Sequence, residues 1–160
     1  MKKELNILFF FIIIFLHGCG FEPIFSSKNI SNTQIVSISE VNFKNYSDLN
    51  NLFLRKFRYY QKSDENLKKF NITLDVNKTK RIVSKNKKGD PETFNVEVIA
   101  DIIILNEDKS GILNSQTFRR NKNYNNLSNK FDLKQEENII ENNIIDQIVD
   151  EILNTLFSMQ

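Results

Sequence analysis

The sequence has few of the residues that enzymes use for chemistry. It contains no tryptophan, 1 cysteine and 1 histidine. The last two, Cys19 and His17, precede the segment that is predicted to form the folded domain. Metal-based and nucleophilic mechanisms therefore lose their usual residues, and no phosphate-binding glycine loop, HExxH or GxSxG motif is present. The carboxylate pairs Glu136-Glu137 and Asp150-Glu151 are interpreted as solvated charge on a helix. We predict that the protein is not an enzyme.

Glycine, proline and an excess of one charge are also scarce. With 4 glycines and 2 prolines, the chain is neither collagen-like nor a low-complexity linker. Its 22 basic residues nearly balance 20 acidic ones, and a net charge of +2 excludes the strong field that drives unspecific binding to nucleic acid. We therefore expect no nucleic-acid partner, and the hydrophobic content of 40% favours one globular domain.

The N-terminus has the features of a lipoprotein export signal. A slightly basic start precedes an apolar run at 5–16, which is too short for a spanning helix of about 20 residues. Leu16-His17-Gly18-Cys19 follows and resembles the bacterial lipobox, with His17 in place of the usual small residue. We expect a signal peptide at 1–18 and diacylglycerol plus an N-acyl lipid on Cys19, with no other cofactor. An ordinary secretory signal, or an anchor helix with an incidental cysteine, is the alternative.

Acylation would determine the location of the protein. Two or three acyl chains hold a protein on a membrane durably, since each buried CH₂ contributes about 0.8 kcal/mol. Gly20 follows Cys19, where Asp would resemble an inner-membrane retention signal. We therefore expect a lipid anchor in the outer membrane, facing the periplasm, with residues 19–32 as a lipidated tether and 33–160 as one domain.

Two elements are predicted at the start of this domain. The segment 34–43 is β-branched and partly alternating, which indicates a strand. Apolar residues recur every three to four positions from Leu49 to Tyr60, and they predict a helix of about four turns that Ser47 can cap.

Three long strands are predicted next. Apolar and polar residues alternate over 70–77 and again from Phe94 to Ile104. Ile99, Ile103 and Leu105 make the far end of the second run apolar on both sides, which indicates a central or covered strand. A turn at 106–111 precedes a returning antiparallel strand at 112–120.

The last element is predicted to be a long amphipathic helix. Asp132 and Gln135 resemble a capping box at its start. Two adjacent apolar ridges follow: Ile140, Ile144, Ile148, Ile152 and Leu156, then Ile145, Val149, Leu153 and Phe157. A coiled coil is the alternative, although the broad double ridge favours packing on a sheet. The order of elements predicts an α+β fold in which two helices pack on one face of a mostly antiparallel four-stranded sheet.

Two basic sets are candidates for binding. One comprises Lys78, Lys80, Arg81, Lys85, Lys87 and Lys88 around the middle hairpin, and the other comprises Arg119, Arg120 and Lys122, which a meander would bring toward the same sheet end. Paired cations could grip the phosphates of a lipid head group, with Arg supplying bidentate geometry. A solvated hairpin that only aids solubility is the alternative. The polar faces of the long strands are a second candidate, because a sheet face or edge could dock in a partner.

Two motifs resemble a known family. Cys19-Gly20-Phe21-Glu22-Pro23-Ile24-Phe25 is similar to the Cys-Gly-Phe-x-Pro-Leu-Tyr opening of the alphaproteobacterial LPS-assembly lipoproteins (LptE). Tyr124-Asn125, a few residues after Arg119-Arg120 and followed by Phe131 and a helix to residue 157, resembles the Tyr-Asn and closing helix of that family. The last helix is rich in Ile and Asn here, where the family has Ala.

The resemblance implies a partner and a role. Proteins of this family plug the outer-membrane β-barrel LptD, help to assemble it and assist lipopolysaccharide transport. A polar barrel lumen suits a plug with a hydrophilic exterior. We expect lipopolysaccharide phosphates to contact Lys85, Lys87, Lys88, Arg119, Arg120 and Lys122.

One alternative is a lipoprotein that carries a lipid or serves an envelope ABC transporter. A cavity lined by Phe53, Phe57 and the isoleucine ridge would favour the carrier, and a solid core would favour the plug.

Overall fold

The computed structural model describes residues 36–61 and 67–159. The predicted signal peptide at 1–18, Cys19 and the tether at 19–32 lie outside the described residues. The elements are β1 (Val36–Phe43), α1 (Asn50–Phe57), a 3₁₀ turn (Arg58–Tyr60), β2 (Lys68–Lys85), β3 (Pro91–Leu105), β4 (Ile112–Asn125) and α2 (Lys130–Phe157). The predicted order of elements is confirmed. Neither described helix combines the length and apolar character that crossing a bilayer demands.

The four strands form one mixed sheet in the order β1-β2-β3-β4. β2, β3 and β4 make an antiparallel meander, whereas β1 lies parallel to β2. The parallel pair arises because the chain passes through α1 between these strands, and such a crossover returns the next strand in the same direction. Both helices pack on one side of the sheet, here called the covered face. This arrangement confirms the predicted fold class.

The core lies between the covered face and the helices. Alternate residues of β2 and β3 are buried there, namely Phe70, Ile72, Leu74, Val76, Val96, Val98, Ala100, Ile102 and Ile104. Both predicted ridges of α2 bury against them, except that Phe157 at the helix end is exposed. Because the apolar side of α2 is buried against its own sheet, α2 is a core helix and not one half of a coiled coil.

The opposite side of the sheet, here called the open face, carries no helix among the described residues. Ile99, Ile103 and Leu105 lie on this face and are half-buried. Their strand is central, as predicted, because β3 lies between β2 and β4. Polar side chains flank Ile99 and Ile103 on the neighbouring strands, whereas Leu105 lies between Asn71 and Ile112.

The start and length of α1 differ from the prediction. The helix begins at Asn50, and Ser47 Oγ accepts a hydrogen bond from the Leu49 N–H at 3.3 Å in the turn that precedes it. Asn45 ties the chain to Val76 of β2 by two hydrogen bonds, so the chain leaves the sheet in a turn before it becomes helical. α1 then makes about two turns and tightens into the 3₁₀ turn.

Asn129, and not Asp132, caps α2. The Asn129 Oδ1 accepts a hydrogen bond from the Phe131 N–H at 2.9 Å, and the helix begins at Lys130. The predicted capping box of Asp132 and Gln135 is wrong, because the side-chain acceptor for the first turn comes from Asn129. Asp132 lies inside that turn, where its negative charge interacts favourably with the positive end of the helix dipole.

The turn between β3 and β4 lies where it was predicted. Asn106 Oδ1 accepts from the Gly111 N–H at 3.0 Å, and Lys109 adopts a left-handed φ of 59°. β4 continues past its predicted end at Arg120, because residues as far as Asn125 still pair with β3. The longer strand carries Tyr124 to the start of the closing helix.

Candidate functional site

The hairpin between β2 and β3 presents three predicted site residues at one end of the sheet. Asn86 Oδ1 holds the turn by accepting from the N–H of Lys88 at 2.9 Å and of Asp90 at 3.0 Å. Lys85, Lys87 and Lys88 project from this turn, are exposed, and make no ion pair with any residue that the structure describes. They are therefore free to meet an anionic ligand.

The lysines farther back on β2 are already paired. Lys78 Nζ lies 2.5 Å from Asp48 Oδ2 and 3.0 Å from Glu141 Oε1. Lys80 Nζ lies 2.5 Å from Glu137 Oε1. These side chains lie on the covered face and fasten β2 to α2, so their role in the structure is to join two elements.

Tyr124 takes part in the same contact between β2 and α2, which is here called the junction. Its hydroxyl donates to Glu137 Oε1 at 2.9 Å, and its ring centroid lies 5.7 Å from that of Phe94. The Lys80 ammonium lies 4.1 Å from the Phe94 ring centroid, a cation–π distance. The Tyr-Asn motif at the end of β4 thus places a phenol between the sheet and the closing helix.

Proton equilibria in this junction follow the ion pairing. Partial burial raises the pKa of Glu137, but the hydrogen bonds from Lys80 and Tyr124 outweigh it, and the pKa is lowered. Burial likewise opposes the charge of Lys80, yet its bonds to Glu137 and Tyr124 raise the pKa. Burial and the bond to Glu137 raise the pKa of Tyr124. The carboxylate, the ammonium and the neutral phenol therefore persist through neutral pH.

The structure places the second predicted basic set on two different faces. Arg119 lies opposite Ile99 on the open face, with its Nη1 3.8 Å from Glu97 Oε1. Arg120 lies opposite Val98 on the covered side and pairs with Glu151. Lys122 is on the same side as Arg120, exposed, and makes no ion pair with the described residues. Alternation along a strand separates neighbours in sequence in this way.

The turn lysines of the first predicted basic set are separated along the sheet from the second set, whereas Lys78 and Lys80 lie level with Arg120 and Lys122 across β3. Arg119 to Lys122 lie beside Ile99 to Val96 of β3, whereas Lys85 pairs with Pro91 and the other two exposed lysines lie beyond it in the turn. At about 3.3 Å per residue, the separation is roughly 15–25 Å along the strands. The predicted residues therefore line one end and two sides of the sheet and do not converge on one pocket.

Two buried asparagines on the open face were not singled out from the sequence. Asn71 Nδ2 donates to the carbonyl oxygens of Asn106 at 2.8 Å and Glu107 at 2.9 Å. Asn95, 3% exposed, donates to Asn123 Oδ1 at 2.6 Å. The available signal was their place in the polar phase of the alternating strands, which the general abundance of Asn obscured.

The cavities near these residues are small or open. A cavity of about 100 Å³ lies at the junction and is lined by Lys78, Lys80, Val96, Tyr124, Lys134, Glu137 and Glu141. An open cleft of about 430 Å³ runs past Tyr124-Asn125 and Glu136. Within the described ranges, no group of three or more His, Cys, Asp or Glu side chains is placed to hold a metal ion.

Comparison with known proteins identifies the fold. No protein-family model and no curated protein matches the sequence. Rare lipoprotein B from Shewanella oneidensis superposes with a TM-score of 0.54 at 11% identity, over 75% of this chain and 95% of that one. The fold resembles that of rare lipoprotein B.

Two further lipoproteins share this lipoprotein B-like fold. Lipoprotein B from Nitrosomonas europaea matches with a TM-score of 0.55 at 16% identity, over 74% of this chain and 80% of that one. A minor lipoprotein from Acinetobacter baumannii matches with a TM-score of 0.52 at 14% identity, over 74% and 87%. The similarity extends over most of each compared chain and is a similarity of fold.

Proposed function

We propose that this chain is a non-enzymatic outer-membrane lipoprotein of the LptE type, which plugs and helps to assemble the β-barrel LptD and assists lipopolysaccharide transport to the cell surface. The observation that carries the proposal is the lipoprotein B-like fold, found behind a Cys-Gly-Phe-x-Pro segment that begins at Cys19. Because the fold match spans at least 80% of each compared chain, the likeness concerns the whole domain.

The polar open face supports a plugging role. A barrel lumen is lined by polar side chains, so a plug needs a polar exterior and a core of its own. Outside the half-buried apolar strip, the open face presents Thr73, Asp75, Asn77, Thr79, Arg81, Asp101, Ser115, Thr117, Arg119, Asn121 and Asn123. The core is closed off on the other side of the sheet by α1 and α2.

The packing of the core favours the plug over a lipid carrier. A carrier needs an apolar cavity of roughly 300–1,000 Å³. Phe53 and Phe57 are fully buried, with ring centroids 6.3 Å apart, and they belong to the packed core. The cavity of about 100 Å³ lies between β2 and α2 among three lysines and two glutamates, and the open cleft of about 430 Å³ is lined mostly by polar residues.

Co-purification tests the partner. The full-length chain with a C-terminal affinity tag would be recovered from outer membranes solubilised in mild detergent. We expect LptD to elute with it in equal amount. A Cys19→Ser chain serves as the control, and it should leave the membrane fraction. Recovery of the wild-type chain alone would contradict the proposal.

Charge reversal tests the contact with lipopolysaccharide. Lys85→Glu, Lys87→Glu and Lys88→Glu together should weaken binding of purified lipopolysaccharide by at least about tenfold, since each charge-assisted bond contributes about 1.5–3 kcal/mol. The matched control reverses Lys44, Arg55 and Arg58, which are exposed on another part of the domain. Equal loss in both variants would show attraction by net charge alone.

A further inference from the structure

Strand β1 lies beside only the first half of the long strand β2. β1 pairs with β2 only as far as Phe43 opposite Leu74. At the next position the Asn45 side chain substitutes for a strand: its Nδ2 donates to Val76 O at 3.1 Å and its Oδ1 accepts from the Val76 N–H at 3.1 Å. β2 then continues to Lys85 with no further strand beside this edge among the described residues.

The outward direction of the Val76 N–H and C=O shows which later backbone groups of β2 point away from β3. Every second residue of a strand points its N–H and C=O to the same side. Lys78, Lys80 and Ile82 therefore point both groups outward, as Val76 does, whereas Thr79 and Arg81 turn theirs toward β3. No residue within the described ranges hydrogen-bonds these outward backbone groups. They form a free edge, defined here as Lys78–Ile82.

Side chains do not guard the free edge. Exposed edges are commonly protected by lysines that project over them. Lys78 and Lys80 are instead drawn over the covered face by Glu141 and Glu137 of α2. At the far end of this edge, Ile82 is 46% exposed and offers an apolar contact.

The outer edge of β4 is less accessible. Arg119 lies opposite Ile99, whose backbone groups bind β2, so the Arg119 groups point away from the sheet. The Arg120 Nη1 donates to this Arg119 carbonyl at 2.7 Å. The Arg120 guanidinium therefore occupies one outward carbonyl of β4, whereas no described residue occupies the free edge of β2.

Charge indicates the nature of the occupant. Arg81, Lys85, Lys87 and Lys88 lie on or just beyond the free edge and make no ion pair with described residues. A strand laid along this edge would meet these cations at the turn. We propose that the free edge of β2 binds an extended acidic segment of a partner protein. This segment would pair with β2 as an added strand, on the same side as β1 and beyond the end of β1. This proposal goes beyond the plug and does not depend on it.

Amide hydrogen exchange tests the pairing residue by residue. The probe is a ten-residue peptide of alternating Glu and Val, added to the full-length lipoprotein in detergent micelles. Without peptide, the amides of Lys78, Lys80 and Ile82 should exchange faster than those of Thr79 and Arg81. With peptide, exchange at these three amides should slow by about tenfold or more, as each gains a hydrogen bond. A Lys-Val peptide of the same length should leave them unchanged.

A proline substitution separates strand pairing from charge. Ile82→Pro removes one outward N–H and no bond to β3, which an edge strand tolerates. We expect about tenfold weaker binding of the Glu-Val peptide, while Ile82→Thr, which keeps the N–H, should bind within about threefold of wild type. If Ile82→Pro does not fold, a Glu-Val peptide N-methylated at alternate residues removes the pairing from the peptide side, and it should not bind.

Three results would overturn the proposal. The first is equal binding of the N-methylated and unmodified peptides, because attraction would then be electrostatic only. The second is protection of β4 amides in place of Lys78, Lys80 and Ile82. The third is protection of these three amides by raised protein concentration without peptide, which would identify a second copy of the chain as the occupant.

Discussion

Single asparagine side chains complete the backbone hydrogen bonding of this domain at several places. Asn45 pairs with both backbone groups of Val76 where β1 ends. Asn86 binds two N–H groups in the basic turn, and Asn129 caps α2. An amide side chain suits these positions because it imitates a peptide group and satisfies backbone groups that would otherwise lack a partner.

Gly89 is the glycine that the basic turn requires. Its φ of 87° is a conformation that an L side chain rarely adopts, although a Cβ there would meet no neighbour. We expect Gly89→Ala to lower the free energy of unfolding by about 1–2 kcal/mol. Gly111→Ala is the control: its Cβ would lie 3.7 Å from Asn106 Nδ2, an ordinary contact, and stability should change little. Urea denaturation of residues 34–160 measures both, and equal losses would refute the role of φ.

Glu137 should give the domain a defined pH dependence. Glu137→Gln should lower the free energy of unfolding at pH 7 by about 1–3 kcal/mol, because Lys80 and Tyr124 lose a charged acceptor. Since folding lowers the pKa of Glu137, this contribution is present above the unfolded pKa of about 4.3 and is lost as pH falls through the folded pKa.

The measurement is a series of urea denaturations of wild type and variant. The difference in unfolding free energy should shrink from about pH 5 to pH 3. Glu136→Gln changes an exposed neighbour that makes no ion pair with described residues, so its difference should stay near zero throughout. A gap for Glu137→Gln that is constant with pH would contradict the assignment.

At the scale of elements, α2 decides how the domain is closed. Its apolar ridges cover the sheet, and its polar flank reaches Lys78, Lys80 and Arg120 on two strands. Strands that are far apart in the chain are thereby linked through one helix.

The cap of α2 can be tested against the residue that the sequence pattern favoured. Asn129→Ala should lower the free energy of unfolding by about 0.5–2 kcal/mol, since the first helical turn loses a side-chain acceptor. Asp132→Ala removes only a favourable charge and should cost about 0.3–1 kcal/mol at low salt, less when salt is added. Salt titration of both variants by circular dichroism separates the two effects. A larger loss for Asp132→Ala would restore the capping box.

At the scale of the whole molecule, the proposed role combines a compact domain with a lipid anchor. Residues 34–160 form one compact unit, and the predicted acylation site precedes it by a short segment. An anchor of this kind would concentrate the domain at the membrane surface, where the proposed barrel partner would be assembled.

Acylation of Cys19 should control partition of the protein. The wild-type chain should enter the detergent-rich phase when a Triton X-114 extract is warmed, because acyl chains partition with the detergent. Cys19→Ser should stay in the aqueous phase while its far-ultraviolet circular dichroism still shows the folded domain. Mass spectrometry of the wild-type product should find diacylglycerol and an N-acyl group. An unmodified cysteine would refute the anchor and, with it, the proposed location.

The local periodicity of apolar and polar residues was sufficient to predict the element order and most of the core. Burial follows local periodicity, so Phe70 to Val76 and the α2 ridges could be assigned without knowledge of their neighbours. The helix starts could not be assigned in this way, because Ser47, Asp132 and Asn129 are all suitable caps and only the path of the chain selects among them.

The sequence by itself determined the α+β architecture, the two helical ridges and the basic composition of the hairpin turn, because each depends on spacing along the chain. Only the tertiary structure decided that Lys78 and Lys80 are paired with α2 and that Arg119 and Arg120 face opposite ways. It also decided that, among the described residues, no strand lies on the β1 side of β2 beyond Leu74. Those facts depend on which element lies opposite each residue, and that is settled when strands from distant parts of the chain come into register.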